Sequence, residues 1–372
     1  MHGEKKDADE GAATQWKEST LPTFLPSYHP DDIYNADETG IYFRALPDGT
    51  LTFKTDNSGG SKKSKERVTV LVCTNMTGTD KRKLLVIGKS KDPRCFRGVK
   101  SLPVTYTNSG NAWMTAEIFQ NWLRDFNRDM ARQKRKILLF VDNCSAHPKG
   151  SADRLANIKM EFLPPNTTSI IQPCDQGIIR NLKFYYRSEV IRRIIGNIDN
   201  TEMTANELAR KLTLLDAVHL LRRAWRCVKE STVTSSYRTA EFVAPEQQEH
   251  CEDEDEDVPP VPSGLDAESF STFVSHDDDL PCFASRSDEE ICAEIRETAA
   301  DVDSEDEDDF TPLELPVSAT EARAAIETLR KFLGQKQSDD FDQLYELEDT
   351  CERLIDTSRK QTKITEFINW IP

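Results

Sequence analysis

The chain has 372 residues, 65 of them acidic and 48 basic, for a formal charge of −17. That length fits one large domain with extensions, or two domains. No apolar run approaches the roughly 18 residues of a membrane-spanning helix, and the N-terminal stretch MHGEKKDADEGAATQW lacks a signal peptide's apolar core, so a soluble intracellular protein is expected. The charge is unevenly spread. Residues 251–310 hold 23 Asp and Glu against two Arg, a net of −21, residues 311–372 carry −4, and residues 1–250 are left at +8. A basic body with an acidic tail points to a nucleic-acid-facing protein. The nine cysteines are scattered without a CxxC pair, which predicts reduced thiols rather than a disulfide framework or a zinc ribbon. Cys144 and His147 come nearest to a zinc-ligand pair, with nothing at the right spacing to complete the set.

In chain order, residues 1–30 read as a polar lead-in. Strand candidates follow: DIYNADETGIYFR, TLTFKT, RVTVLVCTNM, KLLVIGK and LPVTYT. They are separated by Pro47-Asp48-Gly49, Asn57-Ser58-Gly59-Gly60 and Thr77-Gly78-Thr79-Asp80, turn chemistry that predicts an antiparallel meander. Ile118, Phe119, Trp122, Leu123 and Phe126 then recur at helical spacing, with Thr115 as N-cap. Next come a strand ending at Asp142, a short helix near Ala152–Ala156, a strand IKMEFLP, and a long helix from about Asp175 to Ile195. One further helix, ANELARKLTLLDAVHLLRRAWRCVKE, closes the compact part near Phe242. Strands first, then strand–helix–strand–helix, predicts an α/β core with a mixed sheet. Residues 243–313 combine low hydrophobicity with high charge and read as a disordered acidic linker. Ser287 and Ser304 within it look like acidic-directed phosphorylation sites. Residues 314–372 return to helical spacing, as a short hairpin and a tail.

The stretch KILLFVDNCSAHP runs a buried-strand pattern into a carboxylate. Asp142 there either begins a turn or belongs to a site, depending on whether other carboxylates join it. Asp37 stands in mid-strand, where aspartate is depleted. Asp175 sits at a helix start, where a simple N-cap role also explains it. If the first strand is regular, Glu38 faces away from Asp37. Three carboxylates on two strand positions and a helix start can converge on one edge of a mixed sheet. Hard divalent cations take such oxygen donors, and phosphoryl transfer needs little else from the protein.

The segments NADETGIYF, KKSKERVTVLVCTNMTGTDKRKLLVIGKS, DPRCF, NAWMTAEIFQNWL, KILLFVDNCSAHP and IKMEFLPPNTTSIIQPCDQGIIRNLK resemble the catalytic domain of pogo/Tigger transposases. That group includes Tigger-derived cellular proteins, jerky-like proteins and centromere protein B. The resemblance covers residues 31–242. It implies a ribonuclease-H-like mixed sheet with flanking helices and a catalytic and metal-binding triad of Asp37, Asp142 and Asp175. These are separated by 104 and 32 residues. It further implies two Mg²⁺ or Mn²⁺ ions, DNA as partner, a nuclear location and a possible homo-oligomer on DNA. Asn143 and His147 are either cleft residues or structural ones. Lys62, Lys63, Lys65 and Arg67, then Lys81, Arg82 and Lys83, and the 132–136 cluster are candidate phosphate contacts. About 30 residues precede the first strand, too few for the helix-turn-helix modules that the family carries there. A catalytic domain without its DNA reader is therefore expected. Gln361, Ile364, Phe367 and Ile368 of QTKITEFI resemble the peptide that docks on the sliding clamp PCNA; an ordinary amphipathic turn is the alternative. Rival functions are a catalytically silent chromatin-associated protein and an acidic-tail adaptor.

Overall fold

The computed structural model describes residues 9–47, 66–198, 203–242, 261, 266–278 and 280–283, with scattered helical positions between 321 and 354. The candidate strand TLTFKT, Lys62, Lys63, Lys65, both acidic-serine motifs and the tail motif (Gln361, Ile364, Phe367, Ile368) lie outside the described residues. Contacts divide the chain into two units, Met1–Ala299 and Ala300–Pro372; the candidate site lies in the first.

Six strands form a mixed sheet in the order β4-β3-β2-β1-β5-β6. They are β1 (Ile33–Tyr42), β2 (Arg67–Asn75), β3 (Leu85–Gly88), β4 (Thr105–Asn108), β5 (Ile137–Val141) and β6 (Ile158–Phe162). The helices are α1 (Glu10–Ser19), α2 (Leu21–Phe24), α3 (Ala116–Gln133), α4 (Thr168–Ile171), α5 (Ile178–Ile198), α6 (Ala205–Arg210), α7 (Leu214–Cys227), α8 (Glu230–Thr239) and α9 (Ala267–Val274). This is the ribonuclease-H-like mixed α/β sheet that the resemblance implies. β1, β2 and β3 form the expected antiparallel meander, while β4 joins β3 in parallel.

Both sheet faces are covered, which is why the strands read as nearly continuous apolar runs. Val68, Val70 and Val72 of β2 join Leu138 and Phe140 of β5 in the core beneath α1, α5, α7 and α8. The intervening Leu71 and Cys73, with Leu139 and Val141, pack under α3, as the two-residue period of a strand requires. Thr115 caps α3 by accepting from the Ile118 N–H at 3.3 Å. Phe119, Leu123, Phe126 and Met130 form its buried stripe.

Several expectations need correction. The lead-in is part of the domain, since α1 buries Trp16 edge-on against Phe140, 5.7 Å between centroids. Residues 152–156 form turns rather than a helix. The predicted closing helix is two helices, because capping boxes at Thr204/Glu207 and Thr213/Asp216 start α6 and α7 separately, and α8 follows them. Within the stretch expected to be disordered, residues 267–274 form a helix. Phe270, Phe273 and Val274 of α9 are buried in a cluster with Ala45 and Ile191, and Phe270 meets Phe184 edge-on at 4.7 Å. Beyond α9, Asp277 pairs with Arg187, both side chains fully buried, and Asp278 reaches Lys183 at 2.7 Å. An acidic average over about 70 residues concealed one amphipathic helix of just over two turns.

The Arg187–Asp277 pair generates a stability prediction. Asp277→Ala leaves a guanidinium buried with only the Tyr42 carbonyl at 2.8 Å, and should cost about 3–5 kcal/mol. Replacing both partners by apolar residues of similar volume should cost less. Urea unfolding of the two variants checks the order.

Candidate active site

The site forms where β1 and β5 part. Only Ile33–Asn35 of β1 pair with Leu138–Phe140 of β5, and the strands run parallel. Past Asn35 their pairing ends, leaving a crevice-type position at the carboxyl ends of the two strands, where ligands of open α/β sheets usually bind. Asp37 lies two residues past the last paired position of β1, and Asp142 one residue past β5.

Asn35 organises this crevice and was passed over in the sequence reading. Its side-chain amide donates to the Phe140 carbonyl at 3.0 Å, and its Oδ1 accepts from the Cys174 N–H at 2.9 Å. One buried side chain thus ties β1 to the end of β5 and to the turn that carries Asp175. That turn is the short 3-10 segment Pro173–Gln176, separated from α5 by Gly177 at φ 153°. Asp175 therefore precedes the helix rather than capping it. A Cβ at position 177 would lie 3.0 Å from Ser236 Oγ.

The other two aspartates are close enough for Asp37 to feel their charge. Burial, then the charges of Asp175, Asp142 and Glu38, hold the Asp37 carboxyl well above its ordinary range, with a hydrogen bond from Gln172 in partial opposition. The Asp37 carboxylate also accepts from the Glu38 N–H at 2.8 Å. Such uncompensated negative charge, built from hard oxygen donors, fits a divalent cation.

Glu38 faces the α3 side of the sheet, as alternation predicts, yet it connects to the site. Its Oε1 lies 3.1 Å from Nε2 of His147. The Nδ1 of the same ring lies 2.7 Å from Asp142 Oδ1 and 3.2 Å from the Asp142 carbonyl. The ring is buried against Phe119, centroids 4.1 Å apart. Burial alone would lower the His147 pKa; the Glu38 charge, then hydrogen bonds to Asp142, Cys144 and Glu38, outweigh it and hold the imidazole well above its usual range. Asp142, Cys144 and His147 bring an oxygen, a sulfur and a nitrogen within 4.8 Å of one another. Both ring nitrogens are already engaged with carboxylates, and burial pushes the Cys144 thiol up, so this cluster suits zinc poorly. Asn143 is exposed.

The candidate phosphate-binding cations are mostly engaged by the fold itself. Lys81 donates to the Trp225 carbonyl at 3.0 Å and to that of Val228, neutralising the end of α7. Arg82 pairs with Asp129 and lies 4.5 Å over the Phe126 ring. Arg67 donates to Thr69 and to the Pro281 carbonyl. Lys83 is exposed and donates to the Leu102 carbonyl at 3.1 Å. In the 132–136 cluster, Arg132 pairs with Asp129 at 3.2 Å and Arg135 with Asp32 at 2.7 Å.

The class is a DDE-type endonuclease domain, with Asp37 within β1, Asp142 just past β5 and Asp175 in the turn before α5. Residues 65–237 match the family described as DDE superfamily endonuclease. Tigger transposable element-derived protein 4 of Mus musculus is 34% identical over 344 residues, covering 88% of this chain and 66% of that protein. The human Jerky protein homolog is 32% identical over 247 residues, 63% of this chain and 42% of that one. Residues 65–237 thus carry a DDE superfamily endonuclease domain, and most of the chain is similar to Tigger transposable element-derived proteins. It spans just under two thirds of the Tigger relative's length and less than half of the jerky relative's. Among solved structures, the catalytic domain of Mos1 mariner transposase is similar at 14% identity and TM-score 0.33, covering 63% of this chain and 91% of that one. Among the described residues, no helix is long and apolar enough to cross a membrane.

The raised Asp37 carboxyl has a consequence for stability. The unfolded chain releases this proton near the ordinary value of 3.8, while the folded chain keeps it to higher pH. The penalty for ionising Asp37 in the fold therefore builds up as pH rises from that value to the folded one, and is complete above it. In a chelating buffer, Asp37→Asn should melt higher than the wild type at pH 7.5, and the gap should close as pH falls toward 4. Paired thermal melts across pH check the sign.

Proposed function

We propose that this chain is a divalent-ion-dependent phosphoryl-transfer domain that cleaves or joins DNA, with Asp37, Asp142 and Asp175 holding two Mg²⁺ or Mn²⁺ ions. The supporting observation is that Asn35 of β1 bonds to the end of β5 and to the turn before α5, the segments that carry Asp142 and Asp175, while the charges of both act on buried Asp37. Ions bound there supply Lewis-acid activation of water or of a DNA 3′-hydroxyl, and stabilise the leaving oxygen. The chain's own contribution is to fix the three carboxylates on a rigid sheet, so that little reorganisation accompanies the reaction. DNA is the substrate class that the basic body favours. Its cations would bind the phosphate backbone without reading sequence, and the nucleus is the matching location.

The metal half of this reading is tested by melting the protein with and without millimolar Mn²⁺. A ligand that binds only the folded state at a hundred times its Kd adds about 2.7 kcal/mol. The wild type should melt higher with Mn²⁺ and Asp142→Asn should not. Coincident melts for the wild type would remove the metal site.

The DNA half predicts weak duplex binding, similar on any sequence, that falls steeply as salt rises because each neutralised phosphate releases counterions. Slow nicking in Mn²⁺ should vanish in Asp37→Ala and Asp175→Ala. The acidic segment competes for the basic face, so removing residues 284–310 should raise DNA affinity, most visibly at low salt. Residues 261–283 must be kept, because α9 and the Asp277–Arg187 pair belong to the folded unit. Fluorescence anisotropy over a salt series and a plasmid-nicking assay give both answers. Selective binding of one sequence, or nicking that persists in the variants, would count against the reading.

A further inference from the structure

We propose that Glu38 and His147 form a positioning relay, running from the α3 side of the sheet around to Asp142, that sets the carboxylate of Asp142 for its cation. The proposal rests on the metal reading above and deepens it.

The need for such a relay follows from where Asp142 sits. β5 ends at Val141, whose carbonyl is the last to accept across to the β6 side, from the Leu163 N–H at 2.9 Å. Asp142 stands beyond this ladder, and a free aspartate there would sample several rotamers. Its Oδ1 is buried without an aligned hydrogen bond, and lies 2.7 Å from the His147 ring nitrogen, an ion-pair distance. The aligned contact of that nitrogen is to the Asp142 carbonyl at 3.2 Å, so the ring meets residue 142 at both its main chain and its carboxylate.

The ring is itself held at both ends. Nε2 meets Glu38, Nδ1 meets Asp142, and Phe119 packs against its face. The Glu38 side chain is 2% exposed, and a carboxylate so buried requires a partner; His147 is that partner. Neither Glu38 nor His147 is a ligand here. Glu38 lies on the sheet face opposite Asp37, and both nitrogens of His147 are engaged. Partners that orient ligating groups in this way typically influence metal affinity by about 10–100-fold. The adjacent carboxylates of Asp37 and Glu38 thus serve one site from two faces of β1, the first directly and the second through two linked contacts.

The test uses the full chain and Mn²⁺ alone, titrated by electron paramagnetic resonance of the free ion. Glu38→Ala and His147→Ala should each weaken Mn²⁺ binding by about 10–100-fold. Because both act through one chain of contacts, the double variant should be little worse than either single one. Glu38→Gln, which keeps an acceptor for the ring, should recover most of the affinity while losing the charge. A merely structural role would lower the melting temperature and leave the affinity of the folded protein unchanged. Should the alanine variants fail to fold, the wild type and Glu38→Gln still decide. The ring N–H protons of His147 should appear as two protected resonances, with the Nε2–H shifted in Glu38→Gln and the Nδ1–H in Asp142→Asn. Mn²⁺ binding by Glu38→Ala or His147→Ala within twofold of wild type overturns the relay alone, as do losses that multiply in the double variant or ring protons that ignore both substitutions. A wild type that binds no Mn²⁺ overturns the metal reading, and the proposal with it.

Discussion

The site depends on one buried amide. Asn35 donates to the end of β5 and accepts from the turn before α5, so β1 meets at one point two segments that lie more than 100 residues further along the chain. The aspartates are the next residues but one, or the next, in each segment: Asp37 follows Asn35 by two, Asp142 follows Phe140 by two, and Asp175 follows Cys174 directly. Carboxylates repel each other, and nothing in their own chemistry would assemble them. The assembly energy comes from the two apolar cores that clamp the sheet, and Asn35 converts that general compaction into a specific register. Loss of either hydrogen bond would leave a buried polar group unsatisfied, so the geometry is held by the same cost that makes the amide unusual in a strand.

Much of this was legible in the sequence. A continuous apolar run ending in a carboxylate marked β5 and Asp142, and helical spacing behind a threonine cap marked α3. The aspartate in mid-strand marked Asp37 because a strand interior gives an aspartate few reasons to be there. What escaped reading depended on contacts distant in sequence. Alternation places Glu38 on the far face correctly, but says nothing of a loop that folds His147 back to meet it. Asn35 looks like any polar residue in a strand until the Cys174 N–H arrives from 139 positions away. The capping boxes at Thr204 and Thr213 were readable and outvoted by apolar periodicity, which continues across helix boundaries. α9 was lost differently, because composition averaged over a long acidic segment hides three apolar residues at positions 270, 273 and 274.

Charge was the least transferable signal. The net of +8 over residues 1–250 describes the body truly, yet many of those cations are consumed by the fold. Lys81 closes α7, Arg82 ties β2's extension to α3, and Lys183 and Arg187 hold the acidic stretch after α9. A cation that already caps a helix or pairs with a buried carboxylate has little left to offer a phosphate. The cationic surface is accordingly smaller than the composition suggests, and the acidic segment is not one uniform tail. Part of it, α9 with Asp277 and Asp278, belongs to the folded unit.

The pair Asp37–Glu38 shows how a strand's two-residue period can divide labour. Neighbouring residues point to opposite faces, so adjacent carboxylates on β1 cannot share one cation directly. One enters the crevice beside Asp142 and Asp175, and the other enters the α3 core, where solvent cannot stabilise it. That second position is tolerable only with a buried partner, and His147 is such a partner because its second nitrogen returns to Asp142. A one-residue slip of β1 against β2 would exchange the faces, placing Glu38 in the crevice and Asp37 under Phe119. The long antiparallel pairing from Tyr34↔Asn75 to Tyr42↔Arg67 makes that slip costly, since every apolar side chain of β1 would change sides with it. Register, fixed by the core for reasons of burial, is thus what assigns the two carboxylates their separate tasks.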